Sequence, residues 1–211
     1  MNHTLNQAVI DKIQPDYQYQ PLAVFLIGAN GSGKSSLRKY IDLSDIQTNI
    51  DPDALNKITR LKQGKDDVIY ASKQALLMYR YALENKLNVC LESTLAGKGT
   101  INRIYQAKSQ GYYIVAYFMG LGSVDLNIER VKKRVLAGGH DIPENLIIKR
   151  YQESCDNLIK VTKAIDQLHV IDNSQPYFAL QFSRFNQQYI VHQDKQIKWA
   201  ERLFQTLLQQ R

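Results

Sequence analysis

The sequence predicts an α/β fold built on a parallel central sheet, and three observations carry that expectation. Apolar runs such as LAVFLI and YYIVAYFM alternate with longer stretches of helical periodicity, the pattern of strands and helices laid down in turn. The runs are nearly continuous in apolar residues, which suits parallel strands covered on both faces. The 211 residues contain no repeat or low-complexity segment, and 44% hydrophobic residues with 5 prolines is an ordinary globular composition, so one domain is expected.

The elements follow in order. A strand over Leu22 to Ile27 precedes a helix over Ser35 to Tyr40. A short strand near Thr48 to Ile50 runs into Pro52, a residue suited to the first turn of a helix over Pro52 to Leu61. A helix over Asp67 to Glu84, a strand over Leu87 to Leu91, a helix over Gly99 to Ser109 and a strand over Tyr112 to Met119 continue the alternation. Two basic helices, Ser123 to Leu136 and Pro143 to Ile165, frame the loop AGGHDIP, and Leu168 to Ile171 is the last strand of the core. Beyond Pro176 the pattern changes. FALQFS alternates, SRFNQQ can turn and YIVH returns, which predicts an antiparallel hairpin. Lys195 to Gln210 reads as a closing amphipathic helix. Hairpin and helix (177–211) are expected to be additions to a core of about 20–175, with a lid over about 123–150.

Composition excludes several classes. No run of about 18 apolar residues occurs, so no membrane span is expected, and MNHTLNQAVIDKIQ lacks the layout of a signal peptide. A cytoplasmic location is the expectation. Cys90 and Cys155 lie in apolar patterns without CxxC or metal-ligand spacing and read as reduced core thiols. The sequons at Asn2 and Asn30 are then coincidental. The net charge of +7 is spread along helices, with neither a basic block nor aromatic-basic interleaving, so a nucleic-acid partner is not expected.

The strongest motif is GANGSGKS, Gly28 to Ser35, which fits the P-loop pattern GxxxxGK[ST] between a buried strand and a helix. Its glycines allow positive φ and close approach of backbone N–H groups to phosphate oxygens. Lys34 supplies a point charge for the β- and γ-phosphates of a nucleotide, and the Ser35 hydroxyl can ligate Mg²⁺. Gly28, Ala29, Asn30, Gly31, Ser32, Gly33, Lys34, Ser35 and Ser36 are therefore the expected nucleotide-binding stretch.

Three further places can carry chemistry. Asp51 and Asp53 flank Pro52 at a strand end, where an open parallel sheet has its ligand crevice. Either can cap the following helix or serve the acceptor, and Asp53 is the better candidate for taking a proton from an attacking hydroxyl. Glu92 ends an apolar strand in LEST and can hold a Mg²⁺-bound water or orient substrate. Arg130 and Arg134, four residues apart, share a helical face, and Arg150 lies two turns into the next helix. Around Gly138-Gly139 they can form a lid that brings guanidinium groups to a transferred phosphoryl group. The alternative is a solvated surface in which Glu129 and Glu153 pair these arginines. His140 reads as a loop residue or cap. Asp172, Asn173 and Ser174 fit either a loop touching adenine or an Asx turn.

Together GANGSGKSS, IDPD, LEST, IERVKKRV, GGHDIPENLIIKRY and VIDNS resemble the zeta-toxin family of P-loop kinases, over about 150 residues. The resemblance implies a P-loop NTPase of nucleoside-kinase-like, three-layer form that transfers the γ-phosphate of ATP to a sugar hydroxyl, the family's acceptor being UDP-N-acetylglucosamine. It implies Asp53 as base, Lys34 and Ser35 on ATP and Mg²⁺, Glu92 and Thr94 on the acceptor side, and Arg130, Arg134 or Arg150 on phosphates. A small antitoxin protein is the partner it suggests. Two departures stand out: Glu92-Ser93-Thr94 replaces the family's Glu-Gly-Thr, and no His-Pro follows Asp53. Other acceptors (a nucleoside, an antibiotic hydroxyl, a polynucleotide 5′-end) and a nucleotide-gated binding module without acceptor are the alternatives.

Overall fold

The computed structural model describes residues 20–63 and 67–210; the N-terminal stretch and the sequon at Asn2 lie outside them. Seven strands form one sheet in the order β2-β3-β1-β4-β5-β6-β7. They are β1 (Leu22–Ile27), β2 (Thr48–Ile50), β3 (Val89–Ser93), β4 (Tyr113–Gly120), β5 (Gln167–Asp172), β6 (Ala179–Phe185) and β7 (Gln188–Val191). The first five pair in parallel, and β6 and β7 add to the β5 edge antiparallel. The expected hairpin is therefore a continuation of the main sheet, turning at Asn186.

The helices are α1 (Lys34–Leu37, continued by a 3₁₀ turn to Tyr40), α2 (Pro52–Gln63), α3 (Val68–Glu84), α4 (Lys98–Ser109), α5 (Val124–Leu136), α6 (Glu144–Val161, followed by a 3₁₀ turn over Thr162–Ala164) and α7 (Lys198–Leu208). Strand parity sorts β1 between two apolar layers. Ala23, Phe25 and Ile27 face the layer built with α3, α4, α6 and α7. Leu22, Val24 and Leu26 face α1 and the segment after it. Four parallel strands buried on both sides account for the continuous apolar runs. A third, small cluster of Val131, Ile142 and Ile147 holds α5 to α6.

Two strands start later than predicted. Leu87 was expected to open β3 and Tyr112 to open β4, yet each belongs to the end of the preceding helix. The Leu87 N–H donates to Ala82 O and the Lys86 N–H to Leu83 O, with Lys86 at φ 53°. Gly111 and Tyr112 repeat this pattern on Lys108 and Ala107, and Gly138 and Gly139 on Val135 and Arg134. Such a Schellman end places an apolar residue just past the turn, where it packs back onto its own helix. Apolar pattern alone counts it with the next strand.

The helix α7 is also more integral than expected. Trp199, Ala200, Leu203 and Leu207 lie in the largest cluster, beside strand residues of β4 and β5. Among the described residues no helix is long and apolar enough to cross a membrane. Cys90 is buried and Cys155 half-buried, neither in a disulfide.

Candidate active site

The order β2-β3-β1-β4 reverses direction around β1, so the carboxyl end of β1 opens onto the crevice where such sheets bind ligands. The loop that fills this end is Gly28 to Gly33. Gly28, Gly31 and Gly33 have φ of 142°, 78° and 102°, a region costly for residues with a Cβ. Space is equally restrictive. A methyl group would overlap the Met119 carbonyl at Gly28, the Asn127 backbone at Gly31 and the Asn173 side-chain amide at Gly33.

Side chains from three distant elements fasten this cradle. Asn127 of α5 donates to Asn30 O (2.6 Å), Asn173 after β5 donates to Ser32 O (2.8 Å), and Arg150 of α6 donates to Asn30 Oδ1 (2.8 Å). The Lys34 Nζ donates to Gly28 O and Ala29 O at 2.9 and 3.1 Å. Burial lowers the Lys34 pKa, and the nearby carboxylates of Glu92, Asp53 and Asp51 oppose that shift.

Glu92 follows Cys90 in parity, so its carboxylate points to the α1 side of β3. There Ser35 Oγ donates to Oε1 at 2.8 Å, and Arg38 stands 3.9 Å from Oε2 while donating to Asn49 Oδ1. Glu92 is 7% exposed. Burial raises its pKa, and Lys34 is the largest opposing influence. Oε2 is buried without a hydrogen-bond partner. A serine hydroxyl and one carboxylate beside a phosphate cradle suit Mg²⁺, which keeps several waters and takes few protein ligands. Ser35 and Glu92 are thus the residues that fit it. No group of three or more His, Cys, Asp or Glu able to hold a metal occurs among the described residues.

Two cavities meet at this end of the sheet. The first, about 530 Å³, is lined by Asn30, Gly31 and Gly33 to Ser36 of the cradle together with Glu92, Arg130 and Asn173. The second, about 360 Å³, lies between α2 and the Gly138-Gly139 corner and includes Asp51, Lys57 and His140 in its wall. Asp53 and Arg134 line both. Their side chains, 64% and 40% exposed, stand 3.7 Å apart.

The arginines do not take the solvated pairing. Glu129 pairs with Lys133 and Glu153 with Lys149. Arg130 instead donates to Asn173 O (2.7 Å) and Arg134 to His140 O (3.1 Å). One turn of separation puts the two arginines on the cavity side of α5, and the Glu129–Lys133 pair occupies another face. Asp51 caps α2, its Oδ1 accepting from the N–H groups of Asp53 and Ala54, while also lining the second cavity. Thr94 Oγ1 accepts from Ala96 N inside its own loop, and Thr94 lines neither cavity.

Sequence reasoning missed Asn127 and Arg38 and left Asn173 ambiguous. Arg38 stands one turn after Lys34, and strand parity would have turned Glu92 toward it. Asn127 carries no local signal, because its partner is 97 residues away.

A glycine cradle at the switch point of a mostly parallel sheet, with a buried lysine and a strand-end carboxylate, defines a P-loop fold of the kinase type. The chain belongs to the zeta toxin family, which it matches over residues 7–180. An uncharacterized protein of Haemophilus influenzae is 34% identical over 132 residues, 63% of this chain and 94% of that protein. Among solved structures, the AvrRxo1-ORF1:AvrRxo1-ORF2 complex with sulphate ions aligns with a TM-score of 0.64 at 13% identity, over 87% of this chain. The chain spans only 63% of the length of that relative. A structure of the PezAT toxin-antitoxin system of Streptococcus pneumoniae aligns at TM-score 0.55 and 14% identity, over 96% of this chain and 92% of that one. At these identities the structures establish a shared fold.

Proposed function

We propose that the protein is a phosphotransferase that moves the γ-phosphate of ATP to a hydroxyl of a nucleotide sugar of the UDP-N-acetylglucosamine type. The observation that carries this reading is the position of Asp53, whose side chain lines both the cradle cavity and the cavity beside α2.

An acceptor in the second cavity presents its hydroxyl to Asp53, and the triphosphate lies in the cradle. Asp53 takes the hydroxyl proton as the oxygen bonds to the γ-phosphorus and the bond to the bridging β–γ oxygen breaks, leaving ADP. Lys34 exchanges its bonds to the Gly28 and Ala29 carbonyls for phosphate oxygens. Arg130 and Arg134 supply fixed donors to the charge spread over the transferred group. Arg150 acts on the nucleotide side by holding Asn30. Ser35 and Glu92 would hold Mg²⁺, which would supply neutralisation of phosphate charge. Asp51, as the cap of α2, orients the first turn that carries Asp53.

A small antitoxin-like protein as partner belongs to the same proposal. The PezAT neighbour comes from a toxin-antitoxin system, and the AvrRxo1 neighbour is a complex of two proteins.

The test is transfer of label from γ-labelled ATP to UDP-N-acetylglucosamine, nucleosides and oligonucleotides. Labelling of the nucleotide sugar is expected, and labelling of oligonucleotide ends alone would overturn the acceptor. In Asp53→Asn, ATP binding is expected to persist while transfer falls at least about a hundredfold. Near-full transfer in that variant would remove Asp53 from the mechanism.

A further inference from the structure

The C-terminal helix reaches the cradle through one side chain. Trp199 lies with its ring against Gly120, where even a methyl group would overlap the indole. Its Nε1–H donates to Asp172 Oδ1 at 2.8 Å in a buried contact. Gly120 and Asp172 are partners in the β4–β5 register. Each is followed or preceded by a residue that touches the cradle: Met119 against Gly28, and Asn173 against Ser32 and Gly33.

The junction continues from there. Ser174 donates through its hydroxyl to Asp172 Oδ1 (2.7 Å) and through its N–H to Oδ2 (3.0 Å), and its Oγ accepts from Gly122 N at 2.7 Å. These bonds fix the turn whose middle residue, Asn173, binds the cradle with its amide and receives Arg130 on its carbonyl. Cradle, α5 and C-terminal helix therefore converge on three consecutive residues, 172–174.

We infer that Trp199 is a positioning residue of the nucleotide site: by holding Asp172 and the backbone at Gly120, it keeps Asn173 and Met119 at the separation the cradle requires. A core helix residue without this role would stabilise the fold and leave nucleotide affinity alone. Losing the indole N–H leaves Asp172 Oδ1 with the Ser174 hydroxyl as its remaining donor and frees the turn to shift. The inference rests on the reading that the cradle binds ATP.

ATP binding to the full chain, measured by titration calorimetry alongside steady-state kinetics, tests it. Trp199→Phe is expected to weaken ATP binding and raise its KM about five- to tenfold with kcat within about twofold. Ser174→Ala, which leaves the apolar core intact, is expected to weaken ATP about threefold. Leu203→Ala, on the same helix and in the same cluster, is expected to lower the melting temperature and keep ATP affinity within about twofold. Equal weakening by Leu203→Ala and Trp199→Phe would overturn the inference, as would wild-type affinity in Ser174→Ala, which also decides the matter if Trp199→Phe does not fold. Failure of the unaltered chain to bind ATP would instead remove the functional reading, and this inference with it.

Discussion

The cradle glycines and Gly138 all stand in loops at helix ends, yet they are built to different tolerances. At Gly28, Gly31 and Gly33 positive φ coincides with enclosure by Met119, Asn127 and Asn173. Gly138 has φ 83° and no heavy atom within 4 Å of an added Cβ. Hydrogen bonds from three elements, one buried and two partly buried, hold the cradle. The corner hangs on a small apolar cluster and on exposed pairs such as Arg134–Asp53 and Lys132–Glu144. The cradle, the donor side in the proposed reaction, is thus organised by folding itself, and the proposed acceptor side is left to be organised by ligand. That division suits an enzyme that must admit two substrates and exclude water only when both are present.

The largest expected effect attacks the cradle. Gly28→Ala combines a forbidden φ with overlap of the Met119 carbonyl, and ATP affinity is expected to fall at least about a hundredfold, near 2.7 kcal/mol. Retained affinity in calorimetry would show that the cradle tolerates more than its geometry implies.

Acid gives the next effect, through the sheet that supports the cradle. His169 is fully buried on β5, stacked 4.9 Å from Tyr117 and sharing Ser183 Oγ with His192. Burial, with His192 adding to it, pushes its pKa down to about 3. The unfolded chain takes up this proton near pH 6.5 and the folded chain does not, so stability is present above that pH and is lost as pH falls. Between pH 6.5 and 4.5 the loss from this group is expected to be ~2.3 kcal/mol. Denaturant melts of His169→Gln should show that much less loss over the same window, and parallel pH profiles for the two proteins would argue against it.

Gly138→Ala meets open space and is opposed only by its backbone conformation, so a cost of about 1 kcal/mol is expected in a denaturant melt. A loss of ATP affinity as large as that expected for Gly28→Ala would erase the contrast between the loops. Lys132→Ala should change stability least, by at most about 0.5 kcal/mol, because its partner Glu144 is exposed.

Much of this is legible in the sequence. GANGSGKS marks itself because glycine spacing, lysine and flanking elements are all local. Asp53 and Glu92 could be placed because strand ends in a parallel sheet face one crevice. The boundaries at Leu87 and Tyr112 were misread because a residue that packs back onto its helix has the same apolar character as one that starts a strand. The fastening of the cradle was illegible for a different reason. Asn127, Asn173 and Trp199 act across 97, 141 and 27 residues of sequence, and an asparagine that bonds a distant carbonyl looks the same in sequence as one that faces solvent.

Trp199 is the single tryptophan of the chain, and it sits one hydrogen bond from the turn that touches the cradle. The near-ultraviolet emission of the protein therefore comes from this junction alone among indoles. Excitation at the red edge of the band reads the polarity around one ring, with no labelling and no substitution. Nucleotide arrival, partner binding and unfolding of the C-terminal helix can each be followed in the same cuvette by a probe the sequence already contains.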